Sequence, residues 1–140
     1  ALPDSPPLAP VTAHARSEVL ASGDWLTAAQ VAELAGFSTS NLSAQPNKWK
    51  KEGQIFAIRH QGLDYFPAYG LDAEAGYRPL KPLAPVLALF GDAKDGWGLA
   101  YWFASANSFL GGKRPQDVLL KSPDRVLAAA ADEMAEVAHG

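Results

Sequence analysis

Thr27-Ala28-Ala29-Gln30-Val31-Ala32-Glu33-Leu34-Ala35-Gly36-Phe37-Ser38 reads as a capped helix, its stop, and the approach to a second helix. Thr27 can accept a hydrogen bond at the helix start, and Gln30 stands three residues later, the spacing of a capping box. Val31, Leu34 and Ala35 recur on one helical face. Gly36 takes the left-handed conformation that closes a helix at little steric cost. Ser38 or Thr39 can then cap the next helix. Two short helices joined across Ala35-Gly36-Phe37-Ser38 predict a helix-turn-helix.

Outward from this stretch, Val11, Ala15, Val19 and Leu20 predict a preceding helix over 11–22, ended by Gly23-Asp24. On the other side, Pro46 interrupts the second helix. It lacks an amide donor, so the helix either kinks there or stops near Gln45 and restarts with Pro46 leading. Residues 54–67 predict a hairpin, because Ile55, Phe56, Ile58, Tyr65 and Phe66 favour strands and Gln61-Gly62 marks a turn. A helix-turn-helix followed by a hairpin is a winged arrangement.

Gly70, Gly76, Pro79 and Pro82 break regular structure, so 71–82 is expected as a linker. Beyond it the chain reads as helical, with helices over 85–90, 96–106, 114–120 and 122–138. Ser122-Pro123 is a cap followed by proline at the first helical position. Val126, Leu127, Ala130, Met134 and Val137 form the apolar stripe of the last helix, and Asp132, Glu133 and Glu136 form its wet side. The expected fold is mainly α with a small β-hairpin, a winged helix-turn-helix-like half followed by a helical bundle. The expected divisions are a proline-rich lead over 1–12, the winged region over 13–70, the linker over 71–82 and the bundle over 83–140. Ala1 to Pro10 lacks the basic and apolar segments of an intact signal peptide and is expected to be extended or disordered.

The 140 residues contain no cysteine, which excludes disulfides and thiolate chemistry and suits a reducing, cytoplasmic setting. No run of apolar residues reaches membrane-spanning length. The hydrophobic fraction of 48% and charged fraction of 19% are those of a globular chain. No Gly-x-Ser-x-Gly elbow is present. His14, His60 and His139 have no second ligand at helical spacing, so no metal site, no cofactor and no catalytic residue is expected. Gly111-Gly112-Lys113 reads as a tight turn and not as a phosphate loop.

The net charge is −3, yet residues 38–60 hold Lys48, Lys50, Lys51 and Arg59 against Glu52 alone, a local +3. Such asymmetry is what a phosphate-contacting surface needs. Thr39, Ser40, Asn41, Ser43, Gln45 and Asn47 are the polar residues expected to face base edges from the second helix. In the back half, Trp97-Gly98-Leu99-Ala100-Tyr101-Trp102-Phe103 distributes large rings around a whole helix. Most are expected in the core, with one side, through Trp97, Tyr101 and Trp102, presented as a protein interface.

The block Ala106-Asn107-Ser108-Phe109-Leu110-Gly111-Gly112-Lys113-Arg114-Pro115-Gln116-Asp117-Val118-Leu119 resembles the core of the Xre/MbcA/ParS-type toxin-binding domain. That family shows an Asn, a Leu-Gly-Gly turn and a Pro-x-Asp/Glu-x-Leu helix start. The helix before it and Pro123-Asp124-Arg125-Val126-Leu127 after it fit as well, so the resemblance spans roughly residues 80–138. The front half is similar to the helix-turn-helix regions found ahead of that domain, with Pro46 as the departure. The resemblance implies a non-enzymatic antitoxin that forms a homodimer and covers a cognate toxin, commonly a RES-domain enzyme that consumes NAD. Operator DNA is the second partner it implies, through repression of its own operon. It implies toxin contact through Gly111, Gly112, Lys113 and Arg114, and through Met134, Val137 and His139 of the last helix. The alternative is a free-standing transcriptional regulator whose back half only dimerises.

Overall fold

A computed structural model describes residues 11–37, 40 and 44–139. Helix α1 (Ala13–Ala21) begins where the Thr12 hydroxyl accepts from the Ala15 amide at 3.1 Å. Strand β1 (Trp25–Thr27) follows, and Thr27 then serves as cap of α2 (Ala28–Ala35). Its hydroxyl accepts from Gln30 N–H at 3.2 Å, while the Gln30 side-chain oxygen accepts from Thr27 N–H at 2.9 Å. This is the expected capping box, and Gly36 closes the helix at φ 75°.

Helix α3 (Ala44–Lys51) carries Pro46 in its first turn. There the missing amide has no intrahelical acceptor to lose, so Pro46 sits within α3 without ending it. Pro46 and Trp49, three residues apart, are buried together, and the Trp49 ring sits 5.6 Å from Phe37. Strands β2 (Ile58–His60) and β3 (Leu63–Pro67) pair antiparallel. Gln61 at φ 51° and Gly62 at φ 81° supply the two left-handed residues that a tight hairpin turn requires.

β1 adds to the other edge of β3, with Trp25 opposite Pro67, Leu26 opposite Phe66 and Thr27 opposite Tyr65. The sheet order is therefore β1-β3-β2. The chain order α1-β1-α2-α3-β2-β3 is that of a winged helix-turn-helix.

The stretch expected as a linker is packed. It forms a small two-stranded sheet, β4 (Leu71–Asp72) and β5 (Arg78–Pro79), with Leu71 and Leu80 both buried. Arg78 donates to the carbonyl of Ala35 at 3.1 Å and lies 4.7 Å over the Phe37 ring, so this segment clasps the helix-turn-helix corner. The prolines and glycines that suggested a spacer instead shape a short clasp.

The back half contains α4 (Leu83–Phe90), α5 (Gly96–Ala104), α6 (Pro115–Val118) and α7 (Pro123–His139). α4 packs on α7, while α5 touches α1, β2 and α6. α5 is apolar all round because it is surrounded: Trp97, Leu99, Ala100, Trp102 and Phe103 are all buried. Buried residues from Val19 to Ala130 form one continuous core across both halves. At the seam, a side chain on Gly96 would stand 2.1 Å from the Ala57 carbonyl oxygen, and the Trp97 indole donates to the Arg59 carbonyl at 3.1 Å. Among the described residues no helix is long and apolar enough to cross a membrane.

Candidate functional site

Helix α3 and the wing assemble the basic surface. Pro46 and Trp49 turn inward, which leaves Lys48, Lys50 and Lys51 exposed and Gln45 and Asn47 half-buried at the edge. Arg59 is exposed on β2, and Ser40 is exposed ahead of the helix. Thr39, Asn41 and Ser43 lie outside the described residues. A groove of about 410 Å³ runs between the start of α2 and the wing, lined by Thr27, Ala28, Asn47, Arg59, Leu63 and Asp64 among others. The wing also presents Leu63, an apolar side chain 52% exposed.

Asp64 corrects the expectation that Glu52 alone opposes the patch. It accepts from Lys50 Nζ at 2.6 Å and from Arg59 Nη1 at 3.2 Å, tying α3 to the wing. Partial burial pushes the Asp64 carboxyl up, but the hydrogen bonds from Lys50 and Arg59 outweigh it and hold the carboxyl below the usual carboxylate range. The signal was in the sequence: a two-residue turn at Gln61-Gly62 sets Arg59 directly opposite Asp64. Lys48 and Lys51 make no ion pair among the described residues.

The back half separates the expected interface residues. Trp97 and Trp102 are core residues, each 6% exposed. Trp97 stacks edge-on to His60 and lies under Arg16, and Trp102 packs between Phe90 and Phe103. Tyr101, 46% exposed, is the ring that α5 turns outward. His60 is half-buried against Trp97 and Tyr65. Met134 is half-buried and Val137 exposed, while the His139 side chain lies outside the described residues.

Gly111, at φ 68°, Gly112, at φ 87°, and Lys113 form an exposed turn. Asn107, which sequence reasoning left out of the site, anchors it. Its side-chain oxygen accepts from Phe109 N–H at 2.9 Å, its amide donates to the Lys113 carbonyl at 3.0 Å, and its carbonyl accepts from Gly112 N–H at 2.8 Å. Arg114 grips Asp117 through two bonds, at 2.7 and 3.0 Å.

Two grooves flank α7. One, about 500 Å³, is rimmed by Lys113, Arg114, Lys121 and Arg125. The other, about 340 Å³, lies between α5 and α7 and is rimmed by Tyr101, Asp132, Glu133 and Glu136, with Trp102 and Ala129 below. Lys94 pairs with Glu133 at 3.0 Å. Among the described residues no three His, Asp or Glu side chains gather as a metal site. Comparison with family models, with curated proteins and with solved structures finds no match to this chain.

Proposed function

We propose that this chain is an antitoxin-type regulator. Its winged front half binds operator DNA, and its helical back half binds and sterically covers a cognate toxin, for which the sequence resemblance points to a RES-domain, NAD-consuming enzyme. The observation that carries the reading is the exposed α3 lysine face, framed by the helix-turn-helix corner on one side and the wing on the other. Such a frame enters a major groove with its second helix while the wing meets the backbone. Lys48 and Lys51 neutralise phosphates, and Gln45 and Asn47 are the polar groups at hand for base edges. Toxin neutralisation needs no bond-making. It needs only a complementary surface, for which Tyr101, the Gly111-Gly112-Lys113 turn and the end of α7 are the exposed elements.

The test is co-purification with the product of the adjacent gene, with mass read by light scattering and NAD consumption assayed in the complex. A stable heterocomplex with suppressed activity is the expected result. DNA binding is tested in parallel by fluorescence anisotropy over a salt series. Replacing Lys48 and Lys51 by Glu should abolish binding and leave the circular dichroism unchanged.

The burial of Trp97 and Trp102 favours a second reading, a free-standing transcriptional regulator, because it removes two of the large rings that would anchor a toxin interface. A chain that binds DNA with steep salt dependence, yet leaves the neighbouring product untouched, selects this reading.

A further inference from the structure

A second basic surface lies on the back half, remote in sequence from the α3 lysines. Lys113, Arg114, Lys121 and Arg125 rim the groove of about 500 Å³ beside the start of α7, and the buried Val118 lines it from within. The fold of α6 brings these cations together: Lys113 and Arg114 precede that helix, Lys121 follows it, and Arg125 stands in the first turn of α7. Asp117 is the one carboxylate among the lining residues, and the Arg114 guanidinium already holds it through bonds of 2.7 and 3.0 Å. Asp124, exposed in the first turn of α7, does not line the groove. Lys113, Lys121 and Arg125 are exposed, and they make no ion pair or side-chain hydrogen bond among the described residues.

Three unanswered cations around one groove repel one another, although a chain of net charge −3 has carboxylates enough to pair them. The arrangement favours an anion in the groove. The neighbouring glycine turn does not act as a phosphate loop, because the amides of Gly111, Gly112 and Lys113 donate to the carbonyls of Ser108, Asn107 and Leu110. Recognition therefore falls to side chains. The two ammonium groups act as point charges, and the Arg125 guanidinium matches the spacing of phosphate oxygens. The Ser122 hydroxyl also lines the groove and makes no side-chain hydrogen bond among the described residues, which adds a donor. No aromatic ring is among the lining residues, so nothing there stacks a nucleobase.

We propose that this groove binds a compact polyanion of linked phosphates, a diphosphate or triphosphate group, held by Lys113, Lys121 and Arg125 with the Ser122 hydroxyl. Arg114 contributes by keeping Asp117 from opposing the ligand. A nucleic-acid backbone offers the same oxygens but spreads its charge along the strand. A diphosphate concentrates its charge on one bridged unit, which suits three cations set around a single groove. The inference goes beyond the proposed function and does not depend on it.

Isothermal titration calorimetry of the full chain with inorganic phosphate, pyrophosphate and tripolyphosphate tests it. Binding should saturate, tighten from phosphate to tripolyphosphate, and weaken as salt screens the charges. Lys121→Ala with Arg125→Ala should weaken pyrophosphate roughly tenfold or more. Lys81→Ala, an exposed lysine outside the groove, should leave the affinity unchanged. Amide shifts on adding pyrophosphate should centre on Gly112, Lys113, Ser122 and Arg125. Circular dichroism of each variant reports that the fold is intact. Duplex DNA, followed by fluorescence anisotropy, separates the two sources of phosphate, and the double variant should bind it as the wild type does. Four results overturn the proposal: no saturable heat, a double variant with wild-type affinity for pyrophosphate, shifts confined to α3, or loss of DNA binding in a double variant whose parent ignores pyrophosphate. The last of these would make the groove a nucleic-acid contact instead.

Discussion

Asp64 decides how much of the basic surface faces a ligand. Four cations lie on α3 and the wing, and one carboxylate engages two of them. Asp64→Asn should release Lys50 and Arg59 to phosphate. DNA affinity at low salt should rise, and the slope of log affinity against log salt should steepen by about 0.9 for each released cation that engages a phosphate. A weaker complex would instead mean that the clamp positions the wing for binding; anisotropy titrations distinguish the two. Tyr69 poses a different residue-scale question. Its hydroxyl is buried without a hydrogen-bond partner among the described residues, while its ring packs against Trp25, Phe56 and Phe103. Burial raises its pKa well above 10.0, so the folded chain holds the proton more tightly than the unfolded chain. The stability this contributes is complete below pH 10.0 and is lost as pH climbs from there towards the folded value. Tyr69→Phe should leave stability at neutral pH unchanged or raise it by up to about 1 kcal/mol, and should remove this alkaline loss. Urea midpoints at neutral pH and above pH 10.0 check both statements. Of these two residues, Asp64 was legible through hairpin register, whereas Tyr69 was not, because a hydroxyl's partners depend on elements distant in sequence.

At the scale of elements, those with local signals were read well. The box at Thr27 and Gln30, the glycine at 36, the turn at Gln61-Gly62 and the proline at 115 are chemistry within a few residues, and each marks an element boundary where expected. β1 escaped because three residues carry no periodicity; only the open edge of β3 makes Trp25–Thr27 a strand. The small β4–β5 sheet escaped for the same reason. The all-apolar α5 could not show which ring turns outward, since a helix that is apolar on every side has no periodic stripe. Thr27 carries two elements at once, ending β1 and capping α2. Thr27→Ala should cost about 1 kcal/mol by removing the hydroxyl that accepts from Gln30 N–H, while the Thr27 amide keeps its bond to the Gln30 side chain, read as a lower urea midpoint with an unchanged slope.

For the whole molecule, the change in composition near residues 71–82 suggested a division that the packing does not respect, because buried side chains run from α1 through α5 to α7 without a break. Site legibility followed the same line. The lysines of α3 stood out as a local excess of charge, but that Tyr101 is the exposed ring of α5 became readable only from the packing around that helix. A chain with one core should unfold in one transition. Gly96→Ala tests this at the seam, where the added methyl meets the Ala57 carbonyl oxygen at 2.1 Å. The expected cost is about 3 kcal/mol, with near-ultraviolet and far-ultraviolet signals falling together at a lower temperature. Two separated transitions would show independent halves. The same seam bears on how such a chain can change over generations. With no room for even a methyl group where α5 passes under the wing, recombination cannot exchange the front half for another unless the incoming piece brings a matching carbonyl and a matching socket for Trp97. What looks like a modular pairing of two parts is inherited as a single unit.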